Sequence, residues 1–115
     1  MSIWKTDTTV HEACPCCGHA SIGERGNYDI CRVCWWEDDG QDNVDASEVL
    51  GGPNYHLSLS QGRLNYLKYG IYDPKRTDLR CDPPTKYVAL RFFVYDDTTN
   101  ILSEPNANWS VTIIP

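Results

Sequence analysis

Two Cys-x-x-Cys pairs, Cys14-Pro15-Cys16-Cys17 and Cys31-Arg32-Val33-Cys34, lie thirteen residues apart and constrain this chain more than any other feature. Each pair places two thiols on one side of a tight turn, and four such thiolates converge on a tetrahedron. That is the geometry Zn²⁺ prefers, with metal–sulfur distances of about 2.3 Å. Pro15 stiffens the first turn by fixing its φ near about −65°. Gly18 lets that turn bend sharply, because glycine tolerates positive φ. The spacing therefore assigns Cys14, Cys17, Cys31 and Cys34 as ligands of a structural Zn²⁺. Three disulfides or a redox-active pair would also use six cysteines. Disulfide frameworks, however, belong to secreted chains. The stretch Met1-Ser2-Ile3-Trp4-Lys5-Thr6-Asp7 lacks the apolar run of a signal peptide. No apolar segment approaches the roughly 20 residues that span a bilayer. The expectation is a cytoplasmic protein with reduced thiols and no membrane partner.

A chain of 115 residues is read as one domain, 1–115, with residues 12–84 as the metal module plus a helix and 85–115 as C-terminal strands. A core of this size is modest. A structural zinc adds about 10–16 kcal/mol to folding in small modules, so a metal would help a core of this size.

The formal net charge of −6 is unevenly placed. No Lys or Arg falls between Arg32 and Arg63, where Glu37, Asp38, Asp39, Asp42, Asp45 and Glu48 all lie; the other ten acids are matched by ten bases. Four thiolates on one Zn²⁺ add about −2 more. Such a chain repels phosphate backbones and favours a basic partner. From Arg63 to Arg91 the balance reverses, with seven bases and three acids, so the two regions can also neutralise each other within the fold.

Along the chain, Trp4 is expected to pack on the core, while His11 and His19 read as surface residues beside the cysteines. Cys16 sits between ligands and should point away from the metal, as a packed filler or a reactive thiol. Cys81, between turn residues, reads as a free thiol or core filler. Glu24-Arg25-Gly26-Asn27 is a turn, with Tyr28 and Ile30 entering the second pair as a short strand. Adjacent Trp35 and Trp36 should face different ways, one covering the metal site. Ser58 caps a helix with Gln61 three residues on, and Gly70 ends it. Leu64 and Leu67 mark its buried face, and Gly62 within it implies close packing. Residues 73–85 form a proline-rich connector. Tyr87 to Tyr95 alternates as a strand with Val88, Leu90, Phe92 and Val94 on one apolar face. Residues 96–100 turn, and Trp109, Val111 and Ile113 alternate again. The fold class is α+β: a zinc-ribbon-like module of four cysteines, one capped helix and a short antiparallel sheet.

Several of these motifs occur in an order that resembles the bacterial cysteine-rich CPCC domain family. They are Cys14-Pro15-Cys16-Cys17-Gly18, Tyr28-Asp29-Ile30-Cys31, Val33-Cys34, and Trp36-Glu37-Asp38-Asp39-Gly40-Gln41-Asp42. Gly51-Gly52-Pro53-Asn54, Leu59-Ser60-Gln61-Gly62-Arg63, Asn65-Tyr66-Leu67 and Gly70 continue the match, which covers roughly residues 12–84. The resemblance implies a small zinc-ribbon-like domain and no particular reaction.

No nucleophile–base pair or phosphate-cradling glycine loop is present, so no catalytic residue is assigned. The expected function is a non-enzymatic, zinc-stiffened protein-interaction module. Its most concrete form is an immunity-type inhibitor of a bacterial toxin, binding a basic protein through Trp36, Glu37, Asp38, Asp39, Asp42 and Asp45. The alternative is a nucleic-acid-binding zinc ribbon using Trp35, Trp36, Lys75, Arg76 and Arg80, against which the net charge argues.

Overall fold

The computed structural model describes residues 11–114, so Trp4 lies outside the described residues. Strand β1 (Glu12–Ala13) pairs antiparallel with β2 (Ala20–Ile22) through an irregular register, and the first cysteine pair forms the loop between them. Cys14 N–H donates to the His19 carbonyl and Gly18 N–H to the Cys14 carbonyl, both at 2.8 Å, closing a tight knuckle. Gly18 has φ +85°, and a Cβ placed there would meet the Arg91 carbonyl oxygen at 2.0 Å. Glycine is therefore required twice over, for the turn and for the close approach of residues 88–91.

The second knuckle is built the same way. Trp35 N–H donates to the Cys31 carbonyl at 2.7 Å, and Cys31 N–H to the Trp36 carbonyl at 3.0 Å. The strand expected at Tyr28–Ile30 is reduced to a single bridge, Ile30 to Glu37. Tyr28 has φ 60°, and a left-handed residue cannot continue an extended ladder.

The acid-rich stretch then folds into a short 3₁₀ turn, Asn43–Asp45, which Asp42 caps. Helix α1 (Leu59–Tyr69) begins at Ser58, whose hydroxyl accepts from Gln61 N–H at 3.0 Å, and ends at Gly70 in a left-handed cap. The Gln61 amide turns to Asn65 Oδ1 at 3.0 Å instead of back to the cap, so only one half of the expected capping box forms. Leu59, Gly62, Arg63 and Leu64 are buried, whereas Leu67 is exposed. This corrects the expected Leu64–Leu67 face: only the first two turns of α1 lie against the cysteine module. The close packing expected at Gly62 is present, since an added Cβ would come within 3.1 Å of the Trp36 ring.

A three-stranded antiparallel meander completes the chain, with β3 (Val94–Asp96), β4 (Ile101–Glu104) and β5 (Trp109–Thr112) in that order. Trp109, Val111 and Ile113 are half-buried on one side, as their alternation predicts. The strand expected over Tyr87–Tyr95 is wrong in extent and in face. Only Val94–Asp96 joins the sheet, and Val88, Leu90, Phe92 and Val94 are all exposed. The inward positions are Tyr87, Arg91, Phe93 and Tyr95. Residues 88–91 run past the first knuckle instead, held by Ala20 N–H to the Val88 carbonyl and Leu90 N–H to the Gly18 carbonyl.

The core is organised around sulfur. Cys14, Cys16, Cys17, Cys31 and Cys34 are buried together with Val33, Trp36, Leu59 and Tyr72, and the helix and knuckles close over them. Among the described residues the architecture is a small α+β fold: one α-helix, short antiparallel sheets and a cysteine cluster.

Candidate metal centre

Cys14, Cys17, Cys31 and Cys34 converge, their Sγ atoms all within 4.8 Å of one another. Cys14 Sγ lies 3.7 Å from Cys34 Sγ, and Cys17 Sγ lies 3.6 Å from Cys31 Sγ. A tetrahedral site with bonds of about 2.3 Å has sulfur–sulfur edges of about 3.8 Å. Two of the six edges match that length and the others lie within 4.8 Å, so the four thiols are close enough to hold one such cation.

Each pair is also braced by backbone donors. Cys16 N–H points at Cys14 Sγ at 3.4 Å; Val33 and Cys34 N–H point at Cys31 Sγ at 3.3 and 3.4 Å. The Ser21 hydroxyl adds a contact of 2.9 Å to Cys31 Sγ. Such donors orient ligands and stabilise thiolate charge. Burial pushes the Cys14 and Cys34 thiols well above their ordinary value, while hydrogen bonds from Cys14, Cys17 and Cys34 hold Cys31 far below it. Charging four thiols buried this close together calls for a cation among them. The donor set and its spacing fit a metal ion.

A family model described as cysteine-rich CPCC matches residues 12–86. The chain belongs to the cysteine-rich CPCC family. No curated protein and no solved structure gives a match. The family stretch holds all four clustered cysteines and α1, but stops before the C-terminal meander.

A second buried polar cluster joins that meander to the family stretch. Arg63, in the first half of α1, is fully buried; its Nε donates to the Pro15 carbonyl at 2.7 Å and its Nη1 to Asn43 Oδ1 at 2.7 Å. Its guanidinium lies between aromatic rings, 4.2 Å from the Phe93 centroid and 4.6 Å from that of Trp109. Burial, and then the neighbouring Arg91 charge, lower the Arg63 pKa to about 10. Asp42 accepts from Arg25 Nη1 at 2.6 Å and from Arg91 Nη2 at 2.8 Å. Burial works to raise the Asp42 carboxyl, but the hydrogen bonds from Arg91 and Arg25 outweigh it and hold that group well below the usual range. Arg91 also forks onto Glu104, with both contacts at 2.9 Å, and lowers its pKa.

These contacts revise the expected partner surface. Asp38 is fully buried, accepting from Arg25 Nε at 2.9 Å and from Gly26 N–H at 2.7 Å, and cannot meet a partner. Trp36 is fully buried as well, edge-on to Tyr72 and over Gly62. Asp42 is half-buried in the arginine cluster, and Asp45 accepts from Asp42 N–H at 2.9 Å within the capped turn. Asp39 is half-buried, braced by Gln41 N–H at 3.1 Å, and burial raises its pKa. Glu37 is half-buried, and among the described residues no donor reaches its carboxylate. The acid loop and the basic stretch thus neutralise each other only in part: Asp42 meets Arg63 and Arg91, while Asp38 is paired by Arg25 from outside that stretch.

Sequence reasoning missed Arg25, Arg91, Gln41 and Asn54. Gln41 Nε2 closes the acid loop by donating to the Asp45 and Glu48 carbonyls at 2.9 and 2.8 Å. Asn54 pairs with the backbone of Glu37 as a neighbouring strand would. The opposite charge of the two regions was the available signal; the pairing partners were not.

Cys16 is fully buried against α1, the packed reading of that residue, and Cys81 is an exposed thiol. His19 is half-buried and stacks edge-on against Tyr66, so it is less of a surface residue than expected. Among the described residues, no helix is long and apolar enough to cross a membrane.

Proposed function

We propose that this chain is a non-catalytic protein-interaction module built on a structural Zn²⁺, and that its partner is a basic protein. The observation that carries the reading is the closure of the cysteine centre. Cys14, Cys31 and Cys34 are 0 % exposed and Cys17 is 5 % exposed, with every ligand position filled by sulfur. Catalytic zinc sites keep one position for water or substrate, and structural sites do not. The cation supplies cross-linking of two knuckles; Cys14, Cys17, Cys31 and Cys34 hold it, and the backbone donors orient them.

The net charge of −6 supports a basic partner, by steering association and by repelling nucleic acid. An immunity-type inhibitor of a basic toxin is the most concrete form. Its acidic surface draws on Glu37, Asp39, Asp45 and Glu48, since Asp38 and Trp36 are interior. The nucleic-acid reading is weaker still with Arg25, Arg63, Arg76 and Arg91 tied to acids.

Affinity capture from native extract, with and without nuclease and with salt raised stepwise, tests this. A stoichiometric basic protein that survives nuclease and moderate salt is the expected result. Recovery of nucleic acid alone would overturn it.

A further inference from the structure

Beside the second knuckle lies a hollow of about 230 Å³, walled by Ile30, Trp35, Tyr55, Tyr72 and Leu79, with Glu37 also in its lining. It is smaller than the roughly 300–1,000 Å³ of sites for drug-sized molecules, which suits one long side chain better than a cofactor. Three aromatic walls and one carboxylate are the elements that hold a cationic side chain: ring faces attract the charge and the acid neutralises it.

The local charge agrees. Arg76 also lines the hollow, but Asp78 grips it at 3.0 and 3.1 Å and cancels its charge. Glu37 is then the one unpaired charge among the residues that line the hollow, because no donor among the described residues reaches its side chain. The indole of Trp35 already receives one cation, the Arg32 guanidinium 5.2 Å from its centroid. Trp35 is held by Nε1 donating to the Arg80 carbonyl at 2.9 Å, so one wall is fixed in advance. Both Trp35 and Tyr55 adopt left-handed backbone, with φ 69° and 58°, which bulky residues rarely do. Tyr55 is nevertheless 61 % exposed, so burial of its ring does not explain that conformation.

The geometry points to this hollow as the recognition site for a lysine or arginine side chain of the protein partner, with Glu37 as counter-charge and Trp35, Tyr55 and Tyr72 as walls. The assignment rests on the reading of the chain as a binding module for a basic protein, and names where that protein is gripped. Glu37 is the one member of the expected acidic surface that remains both accessible and unpaired among the described residues.

The test is an NMR titration of the metal-replete protein with N-acetyl-lysine methylamide, and in parallel with the neutral norleucine analogue. The lysine probe is expected to shift the Trp35 indole and Tyr55 ring signals saturably, and the norleucine probe not to. Glu37→Gln should weaken binding about five-fold and Tyr55→Ala about three-fold, with the fold unchanged by the dispersion of the remaining signals. Equal shifts from both probes, or none from lysine, would overturn the assignment. Capture of the same basic protein by wild type and Glu37→Gln with equal affinity would also overturn it, while leaving the binding-module reading in place.

Discussion

The cysteine centre and the arginine cluster both gather polar groups from distant segments into the interior, yet they hold the fold by different means. The cysteine centre links two turns only 14 to 20 residues apart, through four identical atoms placed where one cation could join them. The arginine cluster ties residues 15, 25, 42, 63, 91, 104 and 109 together through hydrogen bonds, ion pairs and ring stacking. The first needs a fixed spacing and one element of chemistry. The second needs every member in place, because each buried charge is costly unless its partners remain.

Removing the metal should have the largest effect. Chelation, or Cys31→Ser, is expected to unfold the cysteine module, since structural zinc contributes about 10–16 kcal/mol in small domains. Loss of dispersion in the amide spectrum, restored by adding Zn²⁺ to the wild type alone, checks this. Arg63→Met breaks the other cluster, leaving the Pro15 carbonyl without its side-chain donor and Asn43 with only the longer contact from Arg91, and is expected to cost about 3–5 kcal/mol in denaturant unfolding. Arg63→Lys should rescue little, because an ammonium cannot stack between Phe93 and Trp109 while bridging Pro15 and Asn43.

Acid sharpens the distinction. Arginine contacts hold Asp42 and Glu104 below their ordinary pKa values, so the folded state binds fewer protons than the unfolded chain. Their stabilisation is complete above the unfolded values near about 4 and disappears as pH falls through the lower folded values. Arg91→Gln should therefore be less stable than wild type at neutral pH, with the gap narrowing below about pH 4. Denaturant melts of metal-loaded protein at several pH values measure the difference. The smallest effect is expected at Gly62→Ala. Helix propensity favours Ala by about 1 kcal/mol, but the Trp36 contact opposes it, for a net loss of about 1 kcal/mol by thermal melting.

What could be read in the sequence was local. The clustering of the four cysteines follows from spacing, and Ser58, Gly62 and Gly70 act within a helix they help define. The misread parts depend on residues far apart in the chain. Alternation over 87–95 identified two faces, but the inward one carries Arg91, which looks like a solvent residue until Asp42 and Glu104 are found opposite it. Asp38 and Trp36 look like a partner surface because nothing near them shows that Arg25 and α1 cover them.

The central claim is that Cys14, Cys17, Cys31 and Cys34 form a closed metal centre on which the fold depends. Metal content of natively purified protein, read alongside the rate of thiol alkylation, tests it most directly. One zinc per chain is predicted, with Cys81 the only rapidly labelled thiol among the described residues until chelator is added. Protein that is folded without metal, or in which Cys14 and Cys17 label as fast as Cys81 with zinc present, would contradict it.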